Sequence, residues 1–191
     1  MRKSTTILLS IVGVFALALA AFISFNNVAE AETAVLEFEV SEDMNRFIFD
    51  EAPLFEDGLP AAGNAFITEG YIFVKGTIAA NGGVNPDGTP VDPDSVIGRW
   101  ICKGYLIGDA AHAADGAWVV TTQIYDFDDE IGKDMLVSEG YELAEIGVPI
   151  ARAITGGTGE FAGASGVMEQ TLLGFNASEG VNASFKVTIE Q

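Results

Sequence analysis

One imidazole, His112, and one thiol, Cys102, are all that 191 residues offer of the two commonest catalytic nitrogen and sulfur groups. A catalytic zinc centre built on several such ligands is therefore excluded. A Ser/His/Asp hydrolase would have to carry His112, in the small-residue stretch 109–116, to a distant serine. Gly163-Ala164-Ser165-Gly166 resembles a nucleophile elbow, but the G-x-S-x-G spacing requires glycine where Val167 stands. Gly157-Thr158-Gly159-Glu160-Phe161-Ala162 fits the dinucleotide fingerprint formally. That chemistry needs a following helix whose N–H groups face a pyrophosphate, and Gly163 and Gly166 argue against one.

Carboxylates cluster at Asp87, Asp92 and Asp94, and again at Asp126, Asp128, Asp129 and Glu130. Calcium takes several oxygens from a flexible loop, so the first group is a calcium option beside the commoner reading of solvated turns; neither group has EF-hand spacing. More informative are the polar residues that interrupt apolar runs: Arg99, Lys103, Gln123, Tyr125, Glu139, Arg152, Glu169 and Gln170. Buried polar groups need partners, so those facing inward form a network or meet a ligand. Gln123, Tyr125, Glu139, Arg152 and Gln170 are the candidate ligand-binding residues.

The elements that must position them read as strands, at about 34–40, 66–79, 96–108, 117–127, 135–143, 149–155, 161–173 and 181–190. Eight strands with few helical stretches predict a closed antiparallel up-and-down β-barrel, which leaves no sheet edge exposed. Asn81-Gly82 and Asp115-Gly116 are hairpin signals, while Pro86, Pro90 and Pro93 keep the 79–95 connection out of any ladder. Residues 43–65, with Pro53, Pro60 and Gly63, read as a long excursion over one barrel end. The stretch 150–173 reads as one hairpin turning tightly at Gly156-Gly157-Thr158-Gly159, with small residues on the return strand suited to close backbone approach.

Alternation assigns faces along the last strand, with Val181, Ala183, Phe185, Val187 and Ile189 inward. Two other strands carry apolar bulk on both faces: Trp100, Cys102 and Leu106 oppose Ile101, Tyr105 and Ile107, and Trp118, Val120 and Ile124 oppose Val119, Tyr125 and Phe127. Outward apolar bulk needs a cover, for which a second subunit is the expectation.

At the N-terminus, Arg2 and Lys3 precede an apolar run of about 19 residues and the small-x-small pattern Ala29-Glu30-Ala31. These are the basic, hydrophobic and cleavage regions of an export signal, so residues 1–31 are expected to be removed and 32–191 to form one domain in a secreted or periplasmic setting. Left uncleaved, the same segment would be a membrane anchor. A single cysteine permits no internal disulfide, and Cys102 lies in an apolar strand that would bury it. The formal net charge of −19 argues against nucleic acid or anionic lipid as a partner.

The run Gly156 to Gly166 resembles the GGTG-x-[FY]-x-G-A-x-G hairpin of the allene oxide cyclase and dirigent protein barrels. Trp100-Ile101-Cys102, Thr121-Thr122-Gln123, Leu136 to Gly140 and Gly174-Phe175-Asn176 extend the likeness toward an exported bacterial member. The resemblance implies a homotrimer whose barrels hold a small apolar molecule, oxylipin-like or phenolic, and promote its cyclisation or stereoselective coupling without a cofactor. The cyclases carry a Tyr-Glu-Ile-Asn-Glu run on their first strand, which Phe38-Glu39-Val40-Ser41-Glu42 matches loosely. This makes Glu39 the candidate catalytic residue, although alternation with Leu36, Phe38 and Val40 places it on a wet outer face. The competing expectation is a non-catalytic binding or structural barrel whose interior is filled by its own side chains.

Overall fold

The structure is a computed structural model and describes residues 33–190; the export signal expected at 1–31 lies outside the described residues. Eight strands close into an antiparallel barrel in chain order: β1 Thr33–Phe49, β2 Ala65–Val74, β3 Val96–Leu106, β4 Ala117–Asp126, β5 Met135–Leu143, β6 Pro149–Gly157, β7 Ser165–Phe175 and β8 Val181–Glu190. Each strand pairs with the next, and β8 closes on β1. Every strand thus has two partners, which removes the edge that an open sheet would expose. Among the described residues, no helix is long and apolar enough to cross a membrane.

Alternation decides which side chains fill the ring. Phe38 and Val40 of β1, Ile72 of β2, Trp100 and Cys102 of β3, Tyr125 of β4, Leu136 of β5, Met168 of β7 and Phe185, Val187 and Ile189 of β8 form one buried core. Phe38 stacks on Phe185 and meets Tyr125 edge-on, at centroid separations of 5.2 Å in both pairs. This packed half lies away from the end where β1 finishes and β2 begins. The inward expectation for β8 holds, with Ala183, Phe185, Val187 and Ile189 all buried.

Several local expectations are corrected. The first strand does not stop at Val40 but runs to Phe49, because a bulge absorbs the polar residues. Asp43 pairs with Glu69 and Ile48 with Ile67, so residues 44–47 stand opposite Thr68 alone. The excursion over the barrel end is correspondingly shorter, 50–64. Asn81-Gly82 does not turn a hairpin: it ends a short helix, α1 (Thr77–Asn81), with Gly82 at φ +84° donating to the Ile78 carbonyl at 2.8 Å. The hairpin of β6 and β7 pairs as expected, but its turn is wide, since a single helical turn at Gly159–Phe161 is inserted and β7 resumes only at Ser165.

Candidate functional site

The opposite end of the barrel is hollow. A cavity of ≈ 220 Å³ opens there, floored by Trp100, Cys102 and Thr68 and walled by Phe47, Phe66 and Trp118. Two bulges make it. The β1 bulge swings Met44 and Phe47 over the mouth, and on β4 the register slips between Ala117 and Val119, leaving Trp118 as the extra residue. A bulge re-aims its side chain, and here it turns an indole into the cavity wall although its neighbour Val119 also faces inward.

Two loops roof this end. Asn64 is buried, accepts from Asp50 N–H and donates to the Asp50 and Pro53 carbonyls at 2.8 and 3.0 Å, which folds 50–64 back on itself. The 107–116 loop meets it where the His112 ring stacks on Phe55, centroids 4.2 Å apart, and His112 Nε2 lies 2.8 Å from Asp57 Oδ2. His112 is thus an exposed tie between loops, held by Asp57 and Phe55. The Asp57 carboxyl is held below its usual range by the Leu59 N–H and by His112.

Beneath the cavity a polar network crosses the barrel. Gln123 Nε2 donates to Glu142 Oε1 at 2.8 Å and to Gln170 Oε1 at 3.2 Å, and Gln170 Nε2 donates to Glu142 Oε2 at 2.8 Å. Gln123 Oε1 accepts from Trp100 Nε1 at 3.1 Å and from the Tyr125 hydroxyl. Thr121 Oγ1 donates to Glu142 Oε1 at 2.6 Å. Arg152 is wholly buried, its Nε donating to Ser138 Oγ and its terminal nitrogens to the Tyr141 and Thr121 carbonyls at 3.1–3.2 Å. Room for it comes from Gly140, where a Cβ would press on the Arg152 stem. Burial pushes the Tyr125 phenol and the Cys102 thiol well above their ordinary values, so both stay protonated.

Of the sequence-predicted residues, Gln123, Tyr125, Arg152 and Gln170 come together in this interior network. Glu139 does not join them: it is exposed on the outer face, accepting from Thr122 Oγ1 at 3.2 Å. Glu39 does point outward, as alternation requires, but the wet face expected for it is corrected. It is 2 % exposed, because α1 lies over it; its Oε2 accepts the Ile78 N–H at 2.9 Å and its Oε1 is 3.5 Å from Lys75 Nζ. It serves the start of α1 and faces away from the cavity. Asp87 and Asp92 accept from Thr89 and Ser95 within their own turns, and among the described residues no three His, Cys, Asp or Glu side chains converge on a metal position. Arg99 and Lys103 lie at the outer face, Arg99 paired with Asp126 at 3.3 Å.

Sequence reasoning missed Glu42, Thr68, Trp118 and Glu142. Glu142 was legible, since it shares strand parity with Leu136 and Ser138. Glu42 shares parity with Phe38 and Val40, and its Oε2 accepts the Val181 N–H at 2.8 Å. Burial pushes the Glu42 carboxyl above its ordinary value. At the cavity the Trp118 indole N–H is buried with no hydrogen-bond partner, while the Thr68 hydroxyl faces the Glu42 carboxyl. An unpartnered group of this kind is costly unless something else satisfies it.

No family model and no curated protein matches the sequence. Solved structures do. The chain is similar to the pterocarpan synthase dirigent protein PsPTS1, at 16 % identity over 85 % of this chain and 97 % of that one, with a TM-score of 0.58. It is similar to the pterocarpan synthase dirigent protein GePTS1 at 15 % identity over 84 % and 88 %, also at 0.58. A pyocyanin demethylase matches at 13 % identity over 82 % and 99 %, with a TM-score of 0.50. At such identities the likeness is one of fold: a dirigent-like barrel.

Proposed function

We propose that this protein binds a small, largely apolar molecule in the mouth cavity, and that confinement there promotes cyclisation or stereoselective coupling without a cofactor. The carrying observation is the cavity's construction: an apolar enclosure in which a buried polar group, Trp118 Nε1, is left without a partner. A site built to receive a ligand leaves its orienting groups open until the ligand arrives. Confinement restricts the conformers of a reactive molecule, and a few fixed polar groups then orient it. Glu42, at the cavity's polar side, is the group placed to give up or take a proton. That the neighbours of similar fold include dirigent proteins named as pterocarpan synthases supports this reading.

The self-filled barrel describes only the packed half around Phe38 and Phe185. In the other half the network of Gln123, Gln170 and Glu142 is internally satisfied, which suits it to a rigid floor. A non-catalytic binder would use the same cavity, and turnover separates the two.

We also propose that residues 1–31 direct export to the periplasm or beyond, and that the mature barrel is a trimer. An exposed cross-strand row of Tyr105, Val120 and Tyr141 on β3, β4 and β5 supports a covered outer face. Native mass spectrometry of protein purified from its own host tests all three points. The expected result is a mature mass starting near Glu32, three subunits and a retained small molecule that Trp118→Phe releases more readily. A protein that arrives empty, and to which no apolar molecule binds afterwards, overturns the binding reading.

A further inference from the structure

Five carboxyl side chains are buried among the described residues: Glu39, Glu42, Asp43, Asp126 and Glu142. Four have a cationic side chain within 4.0 Å. Lys75 stands 3.5 Å from Glu39, Arg46 3.2 Å from Asp43, Arg99 3.3 Å from Asp126 and Arg152 3.8 Å from Glu142. Glu42 alone has none, and it is the one of the five, with Glu142, that lines the cavity.

We propose that the missing counter-charge is supplied by the ligand, so that the cavity selects an apolar molecule bearing a cationic nitrogen and turns away carboxylates. This rests on the binding reading above and narrows the ligand's class. The charged residues lining the cavity are Glu42, Glu142 and Glu179, with no lysine, arginine or histidine among them. Arg152 cannot serve an anionic ligand, because its guanidinium is already engaged by Ser138 Oγ, two backbone carbonyls and Glu142. In an enclosure of low polarity such an imbalance strongly discriminates between ligand charges. On this reading an oxylipin-like ligand that carries a carboxylate is turned away from this mouth, whereas its apolar part is not.

The groups facing Glu42 are the Val181 N–H from β8, the Thr68 hydroxyl from β2, Cys102 from β3 and Glu142 from β5, with Asp43 next to it on β1. None supplies positive charge, and burial already favours the neutral carboxyl of the empty site. Binding of an ammonium then expels the Glu42 proton to solvent and leaves a carboxylate–ammonium pair.

The test is calorimetry on the mature protein with three matched ligands, 2-naphthylmethylamine, 2-naphthylmethanol and 2-naphthoate, at mildly acidic pH in two buffers of different ionisation enthalpy. The amine is expected to bind at least about tenfold tighter than the naphthoate, with protons released on binding. Glu42→Gln is expected to remove the amine's preference over the alcohol and the proton release together. Should that variant not fold, the wild-type series and its buffer dependence decide alone. Equal affinity for amine and alcohol, or binding without proton release, overturns the charge selection while leaving the binding reading intact. Failure of all three ligands to bind counts against the cavity as a site at all.

Discussion

Arg152 Nη1 lies 3.8 Å from Glu142 Oε1 within the barrel, joining a strand-β6 cation to a strand-β5 acid that also gathers Gln123, Gln170 and Thr121. The pair ties the floor of the cavity to the hydrogen-bonded wall, so neither member can be removed without stranding the other.

Arg152→Met is therefore expected to destabilise the fold by about 3–5 kcal/mol, and Glu142→Ala by a similar amount. The double variant should cost clearly less than their sum, because each single change leaves a charge unpaired. Denaturant unfolding of the four proteins measures the coupling. Additive losses would mean that the two groups do not act as a pair.

Glu42 predicts a pH dependence of opposite sign to that of an ordinary ion-paired acid. Its folded pKa is raised above the usual 4.5, so the folded state holds this proton more tightly than the unfolded chain does. The resulting stabilisation is full below 4.5 and is lost as pH rises through the folded value. Relative to Glu42→Gln, the wild type should lose stability over that interval, read as the difference between two denaturation series. A flat difference would show that Glu42 titrates as it does in the unfolded chain.

Cys102 is a buried free thiol whose pKa burial raises, so almost none of it is thiolate at neutral pH. Although Cys102 floors the cavity, its alkylation by iodoacetamide should be suppressed by orders of magnitude in native buffer, because the thiol stays protonated, and restored in denaturant. Rapid native labelling would show that the thiol ionises readily at the cavity floor.

Gly166 sits at φ +143°, where a Cβ would overlap the Thr188 carbonyl oxygen of the neighbouring strand. Gly166→Ala should cost about 2 kcal/mol or more, through backbone strain and strand separation together. Gly147→Ala is the comparison: its φ is +80° but the space around it is open, so conformational strain acts without the clash. Equal losses in the two variants would remove the close-approach argument.

Strand existence and inward parity were legible because both depend on a two-residue period that each strand carries in itself. Parity, had it been applied there, would have separated Gln123, Tyr125 and Arg152 from Glu139, which was grouped with them, and would also have found Glu142, which shares its face with Leu136. The glycines of the β6–β7 hairpin likewise announced a close approach that Gly166 makes to β8. The width of that turn was not legible, since it depends on how Gly159–Phe161 packs against β5 and β6.

Sequence alone thus determined the closed antiparallel ring and most of the side chains that meet inside it. Tertiary structure decided what the ring encloses. The bulges at 44–47 and Trp118, the roof of 50–64 and 107–116, and the helix over Glu39 each arise from contacts between segments distant in the chain. A local period reports only which side a residue faces. Whether that side meets water, a covering loop or a cavity depends on where the rest of the chain passes.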